Sequence, residues 1–123
     1  MMKNLFFFTT LFLFSFLVAF SQEYRAIPLI HPAGNLFVSG LNNQGQVCGT
    51  VLVDDVNFFN NAVRFEPDGT FSTLALGDLG QSSTASAIND LGHVLGTISR
   101  SDFTTAVVIW ESDSTYRELE QPD

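Results

Sequence analysis

One segment of this chain occurs twice, and the repeat constrains the fold more than any other feature of the sequence. Residues 39–50 read SGLNNQGQVCGT and residues 85–97 read ASAINDLGHVLGT. Five positions agree in type and spacing: Asn42, Gly45, Val47, Gly49 and Thr50 in the first copy, and Asn89, Gly92, Val94, Gly96 and Thr97 in the second. The offset is 47 residues here and 45 residues from Phe65/Trp110 to Leu74/Leu119, so the second copy lacks two residues of a loop. A period of this length is typical of proteins built from repeated small units.

Beyond residue 22 the sequence favours strands. No stretch carries apolar residues at helical spacing over ten positions, whereas short β-rich runs alternate with Gly, Asn, Asp and Pro, the pattern of strands joined by tight turns. Each copy is predicted to contain four strands. The first ends at Leu41 or Ile88, the second covers 46–53 or 93–99, the third 61–66 or 106–111, and the fourth 70–74 or 115–119.

The turns carry the clearest local signals. Asn42 and Gly45, like Asn89 and Gly92, stand at the first and fourth positions of an Asn-x-x-Gly turn. Asn bonds its own backbone two residues on, and Gly tolerates a positive φ. Gly69 closes a Pro-Asp-Gly turn in the same way. We therefore predict a positive φ at Gly45 and Gly92.

The predicted fold class is all-β, with two four-stranded antiparallel meander sheets that resemble propeller blades and follow a cleaved signal peptide. In the second strand, Val47 and Val51 alternate with Cys48 and Leu52, so both sheet faces are apolar, which suits stacked sheets. Residues 24–27 (YRAI) match 116–119 (YREL) and are predicted to form an orphan fourth strand. The predicted division is 1–21 signal peptide, 22–38 orphan strand and crossing segment, 39–74 repeat 1, 75–85 linker, 86–119 repeat 2 and 120–123 tail.

The N-terminal segment has the pattern of an export signal. Lys3 precedes a nearly unbroken apolar run over residues 5–20, which closes on Ala19-Phe20-Ser21. This pattern predicts cleavage before Gln22 and a secreted, periplasmic or extracellular protein without a membrane span. The alternative is an uncleaved membrane anchor, for which the run is short.

Charge and cysteine content limit the possible binding partners and exclude an internal disulfide. Without Lys3, four basic side chains stand against 13 acidic ones, a net charge of −9, which argues against nucleic acid and anionic membranes as partners. Cys48 is the single cysteine, so no internal disulfide can form. Two stacked sheets leave blade faces uncovered. We therefore expect self-association through these faces or through the edge strand at 24–27.

Three segments carry a resemblance to a known family. Residues 85–96 (ASAINDLGHVLG), 106–110 (AVVIW) and 76–80 (LGDLG) are similar to the core, the third strand and the linker of the extracellular HAF-type repeats, with His93 in place of a Gln. The first copy matches less closely. The resemblance covers about 90 residues and implies export and a propeller-like architecture, and it transfers no catalytic residues. Two blades are fewer than a closed ring needs, so a truncated member, half of an oligomeric ring and a two-sheet sandwich all stay open.

The loop before the third strand is the candidate binding site. Phe58, Phe59, Asn60 and Asn61 lie where the two copies differ in length. Aromatic rings among amide side chains can stack on a sugar, and loops carry function more often than strands do. The alternative is that both rings pack against the sheet.

The other chemistry-bearing residues are interpreted as structural. His93 takes the place of Gln46, and His31 lies in the crossing segment, a spacing that does not suit metal ligands. Cys48 takes the place of Leu95 and is expected to be a buried apolar residue. The function expected is a secreted, non-catalytic β-repeat module, without cofactor or metal, that binds a protein or glycan or serves a structural role. The alternative is a truncated piece of a propeller-type hydrolase.

Overall fold

The computed structural model describes residues 24–120, which form eight strands and no helix. The strands are β1 (Leu36–Leu41), β2 (Val47–Asp54), β3 (Phe59–Phe65), β4 (Phe71–Thr73), β5 (Gly80–Ile88), β6 (Val94–Arg100), β7 (Thr105–Trp110) and β8 (Tyr116–Glu118). They make two four-stranded antiparallel sheets in the orders β1-β2-β3-β4 and β5-β6-β7-β8. The predicted all-β fold with two meander sheets is confirmed. We call the first sheet blade 1 and the second blade 2.

The Asn-x-x-Gly turns join the first and second strands of each blade as predicted. In blade 1, Asn42 Oδ1 accepts hydrogen bonds from Gln44 N at 3.0 Å and Gln46 N at 2.9 Å. In blade 2, Asn89 Oδ1 accepts from Leu91 N at 3.0 Å and His93 N at 2.9 Å. The φ angles of the closing glycines are +77° at residue 45 and +80° at residue 92, which confirms the predicted positive φ.

Two expectations about strand limits are wrong. Residues 24–27 belong to no strand, whereas each observed fourth strand pairs with the third strand of its own blade. The linker expected at 75–85 is also too long, since β5 begins at Gly80. The crossing therefore occupies residues 75–79 only.

Two apolar clusters lie on opposite faces of blade 1. The larger one joins the blades and consists of Cys48, Ala62, Leu74, Ala85, Val94, Ile98, Ala106, Val108 and Trp110. The smaller consists of Val51, Val63 and Phe65, with Leu29, Leu36 and Val47 packed against it. Strand β2 thus gives Cys48 to one cluster and Val51 to the other, as the period of two requires. The chain before β1 packs Leu29 against the smaller cluster and so covers the outer face of blade 1.

The repeat-related aromatics Phe65 and Trp110 are both fully buried, so both stabilise the core. Trp110 also donates a hydrogen bond from Nε1 to Ala75 O at 2.8 Å, which fixes the crossing at residues 75–79 against blade 2. Within residues 24–120 there is no helix of a length and hydropathy that would cross a membrane.

Candidate functional site

The two blades are aligned with like ends together, and this alignment places the candidate site. At one end, Asn42 Nδ2 donates to Asn89 O at 2.9 Å, so the Asn-x-x-Gly turns lie against each other. At the other end, Asn60 N donates to Ser82 Oγ at 2.9 Å and Ala62 N to Ser83 Oγ at 2.8 Å. The β2–β3 and β6–β7 hairpins therefore project from the same end of the molecule, opposite the Asn turns.

Each of these hairpins exposes a phenylalanine. Phe58 is 73% exposed in the β2–β3 hairpin and Phe103 is 99% exposed in the β6–β7 hairpin. They occupy equivalent positions, because the offset between copies is 45 residues in this part of the repeat. Val56 and Leu79 are also exposed at this end, where Leu79 O accepts a hydrogen bond from Ser101 N at 2.9 Å. We call residues 55–58, 79 and 101–104 the tip surface.

Both phenylalanines adopt a backbone conformation that L residues avoid. The φ angle is +59° at Phe58 and +66° at Phe103, and these are the two non-glycine residues with positive φ among those described. A bulky residue in the left-handed region costs about 1–2 kcal/mol. Strain of this kind concentrates at functional sites. Its recurrence in both copies, at two exposed aromatics, singles out the tip surface.

Aspartates hold both hairpins in shape. Asp54 Oδ1 accepts from Val56 N at 2.9 Å and from Asn57 N at 3.0 Å, and Asp54 Oδ2 accepts from Asn57 Nδ2 at 2.7 Å. Asp102 Oδ1 accepts from Thr104 N at 3.1 Å and from Thr104 Oγ1 at 2.5 Å. The Asn57 side chain lowers the pKa of Asp54, and the Thr104 side chain lowers the pKa of Asp102. Both carboxylates are therefore ionised at neutral pH within the two hairpins.

The four residues chosen from the sequence do not act as one group. Phe58 is exposed and does not pack against the sheet, whereas Phe59 is half-buried at the start of β3. Asn60 and Asn61 are consecutive strand residues and point to opposite faces of blade 1. Sequence reasoning missed Phe103, although its 45-residue offset from Phe58 was visible once the repeat had been aligned.

The remaining candidates have structural surroundings. The ring of His31 lies 4.4 Å from the ring of Phe71, and its Nδ1 accepts a hydrogen bond from Ala33 N at 3.1 Å. Cys48 is fully buried, and desolvation raises the pKa of its thiol. His93 lines a shallow apolar depression on the outer face of blade 2. In the part of the chain that the structure describes, no three His, Cys, Asp or Glu side chains are grouped as metal ligands.

Comparison of the chain with protein-family models, with curated proteins and with solved structures finds no match.

Proposed function

We propose that this protein is a non-catalytic binding module whose tip surface binds a glycan. The observation that carries the proposal is the pair of repeat-equivalent phenylalanines, Phe58 and Phe103, exposed in a strained conformation at one end of the molecule. Neither ring contributes to the apolar clusters of the fold. Their energetic cost is therefore not offset by core packing, and ligand binding supplies a reason for it.

The surroundings of the two rings favour a neutral sugar chain. The face of an aromatic ring is apolar and electron-rich, so it complements the apolar C–H face of a pyranose. Asp102 Oδ2, which accepts no hydrogen bond within residues 24–120, is available to accept one from a sugar hydroxyl. Face-packed sheets lie about 10 Å apart, so rings on neighbouring blades suit an extended ligand. The net negative charge of the mature chain disfavours an acidic polysaccharide.

The test uses substitutions that separate binding from folding. Asn tolerates the left-handed region better than Phe, so Phe58→Asn and Phe103→Asn should leave stability unchanged or raise it by up to about 1 kcal/mol. The same substitutions should abolish retention on insoluble cellulose or chitin. Val53→Asn, which changes an exposed apolar residue of β2 outside the tip surface, is the control. A wild-type protein that binds neither polysaccharide, or binding unaffected by the Phe substitutions, would refute the glycan assignment. If the tip surface binds a protein instead, a protein ligand would replace the glycan in this proposal.

The absence of a catalytic role is part of the proposal. General acids and bases usually have pKa values shifted toward neutrality by burial or by a neighbouring like charge. The aspartates with altered pKa values here, Asp54, Asp68 and Asp102, are shifted downward by hydrogen bonds within their own turns. These shifts serve turn structure. The competing proposal, a piece of a propeller-type hydrolase, predicts hydrolysis of soluble chromogenic glycosides, and measurable turnover would favour it.

Export and kinship with the HAF-type repeats remain proposals supported by sequence. The predicted signal peptide, residues 1–21, lies outside the described residues. Mass spectrometry of the extracytoplasmic fraction should find a chain that begins near Gln22, whereas a membrane-bound form retaining Met1 would contradict export. The core at 85–96 and the AVVIW strand at 106–110 support the kinship.

A second role, self-association, is favoured by the outer face of blade 2. This face carries exposed Leu95 and a shallow depression lined mainly by apolar side chains, together with Asn89 and His93. The mature charge of −9 opposes association and is screened by salt. Light scattering should therefore show a mass that rises with protein concentration and with ionic strength.

A further inference from the structure

The outer face of blade 2 repeats the face through which blade 1 contacts blade 2. In blade 1, Cys48, Ala62 and Arg64 point toward blade 2. The repeat places Leu95, Val107 and Ile109 at the same positions of blade 2. Leu95 is 38% exposed, and it lines the depression together with Ala87, Ile88, Asn89, His93 and Ile109. We call this surface the open face.

Strand β1 is the repeat equivalent of β5, the strand of blade 2 that packs against blade 1. Strand β5 lies against β1, β2 and β3 of blade 1, and its Ala85 is 5% exposed. The corresponding strand β1 has no blade before it in the described chain. Its apolar side chains on the face turned away from blade 2 are exposed: Val38 by 58% and Leu41 by 69%. We call these two residues the β1 ridge.

Resting on the proposed self-association, we infer that it is head-to-tail: the β1 ridge of a second copy of this chain lies across the open face of blade 2. The internal contact between the blades is the template. Because the two surfaces in the new contact differ, the contact is heterologous, and a pair of copies keeps one free open face and one free ridge. Repetition of the contact gives a ring or a filament.

A hydrogen bond between the two blades has a counterpart in the proposed contact between copies. Inside the molecule, Asn42 Nδ2 donates to Asn89 O. The counterpart donor, Asn89 Nδ2, has no hydrogen-bond partner among residues 24–120. Placed as in the internal interface, it meets Asn42 O of the second copy.

A second polar pair follows from a shared bulge. Thr50 Oγ1 accepts a hydrogen bond from Ala85 N at 3.0 Å, where β5 has a bulge between Ala85 and Ala87. Strand β1 has the same irregularity between Val38 and Gly40. The counterpart bond therefore runs from Val38 N of the second copy to Thr97 Oγ1, which accepts it while donating its own proton to Thr84 Oγ1, 2.8 Å away.

One difference from the internal interface makes the proposed contact more apolar. Arg64 donates to Gly92 O at 3.1 Å, and its Nη2 lies 2.7 Å from Asp113 Oδ1 in an ion pair that lacks hydrogen-bond geometry. On the open face its place is taken by Ile109. Association there buries no arginine and needs no acidic partner, so it depends on apolar area.

The experiment combines two variants that block opposite surfaces. Ala87→Asp with Leu95→Asp blocks the open face, and Val38→Asp with Leu41→Asp blocks the β1 ridge. All four side chains are exposed in the single chain. By light scattering on residues 22–123, each variant alone should be monomeric. An equimolar mixture should double in mass and go no further, because one intact open face meets one intact ridge. The control, Val56→Asp with Phe103→Asp, adds the same charge at the tip surface and should associate as the wild type does.

The outcomes separate the two claims. A wild type that stays monomeric at high concentration and high salt refutes self-association itself. A wild type that associates while the two blocked variants fail to combine, or while either variant still associates alone, overturns the head-to-tail contact. Circular dichroism verifies folding of each variant. Serine at the same positions gives the same readout if an aspartate variant does not fold.

Discussion

Replacing Asn42 by Asp should destabilise the protein, whereas the same replacement at its repeat partner Asn89 should not. Both residues use Oδ1 to accept two backbone hydrogen bonds within their turns, and Asp preserves those bonds. Only Asn42 uses its Nδ2 group, which donates to Asn89 O at 2.9 Å and to Gln46 Oε1 at 2.8 Å. Asn42 is 8% exposed, while Asn89 lies at the surface.

The expected difference follows from the bonds lost. A typical hydrogen bond contributes about 0.5–1.5 kcal/mol, so losing both donors lowers the free energy of unfolding by about 1–3 kcal/mol. The new carboxylate would also face Gln46 Oε1, and a flip of that amide would break its contact with Glu66, to which Gln46 Nε2 donates at 3.0 Å. Asn89→Asp adds the same charge at an exposed site, where effects stay within about 0.5 kcal/mol.

Urea unfolding followed by circular dichroism measures both variants, at a concentration below any self-association. The slope of free energy against urea should stay constant, so that the midpoint reports stability directly. For a domain of this size, Tm falls by about 4–8 °C for each kcal/mol. Equal losses in the two variants, or a larger loss for Asn89→Asp, would refute the role assigned to the Asn42 amide in joining the blades.

Three further outcomes are expected. Gly92→Val should lower the free energy of unfolding by about 1–2 kcal/mol or more, because φ is +80° and a Cβ would lie 2.7 Å from Gln46 Oε1. His93→Gln should change it by less than about 0.5 kcal/mol. A larger loss for His93→Gln than for Gly92→Val in chemical denaturation would contradict the structural roles of the two residues. Hydrogen bonds from Thr104 depress the pKa of Asp102 in the folded state, so the stabilisation from its charge is present above the unfolded pKa of about 3.9 and is lost as pH falls through the folded pKa. Asp102→Asn should therefore show a smaller loss of Tm between pH 6 and pH 2–3 than the wild type. An equal loss in the two proteins would show that the charge has no role. Because Cys48 is buried with a raised pKa, thiol reagents should label it only through unfolding, so labelling at the rate of a free peptide thiol would contradict its position between the sheets.

The sequence predicted those parts of the fold that depend on local chemistry. An Asn-x-x-Gly turn needs only its own four residues, so the turns at Asn42 and Asn89 and the sign of φ at Gly45 and Gly92 could be predicted. Alternation along β2 likewise assigned Cys48 and Val51 to opposite faces. Since both signals occur twice at a fixed offset, the number of strands per sheet followed from them.

The errors arose where structure depends on distant partners. Residues 24–27 share a pattern with β8, but a strand forms only where another strand offers hydrogen bonds. The alignment of the two blades depends on contacts such as Asn43 N to Asp90 Oδ1 at 2.9 Å, which link residues of different sheets and leave no local pattern. Exposure of Phe58 and Phe103 depends on hairpin conformation, so composition alone could not distinguish these rings from the buried Phe65.

The most direct test of the central claim is a nuclear Overhauser spectrum of isotope-labelled protein. Both proposals require blades stacked with like ends together. We expect cross-peaks from the Asn42 side-chain amide protons to residues 89 and 90, and from the Ala62 amide proton to Ser83, since the bonds between these groups are 2.9 and 2.8 Å long. Cross-peaks confined to neighbouring strands within each sheet, with none between the sheets at either end, would contradict the stacked arrangement and with it both proposed surfaces.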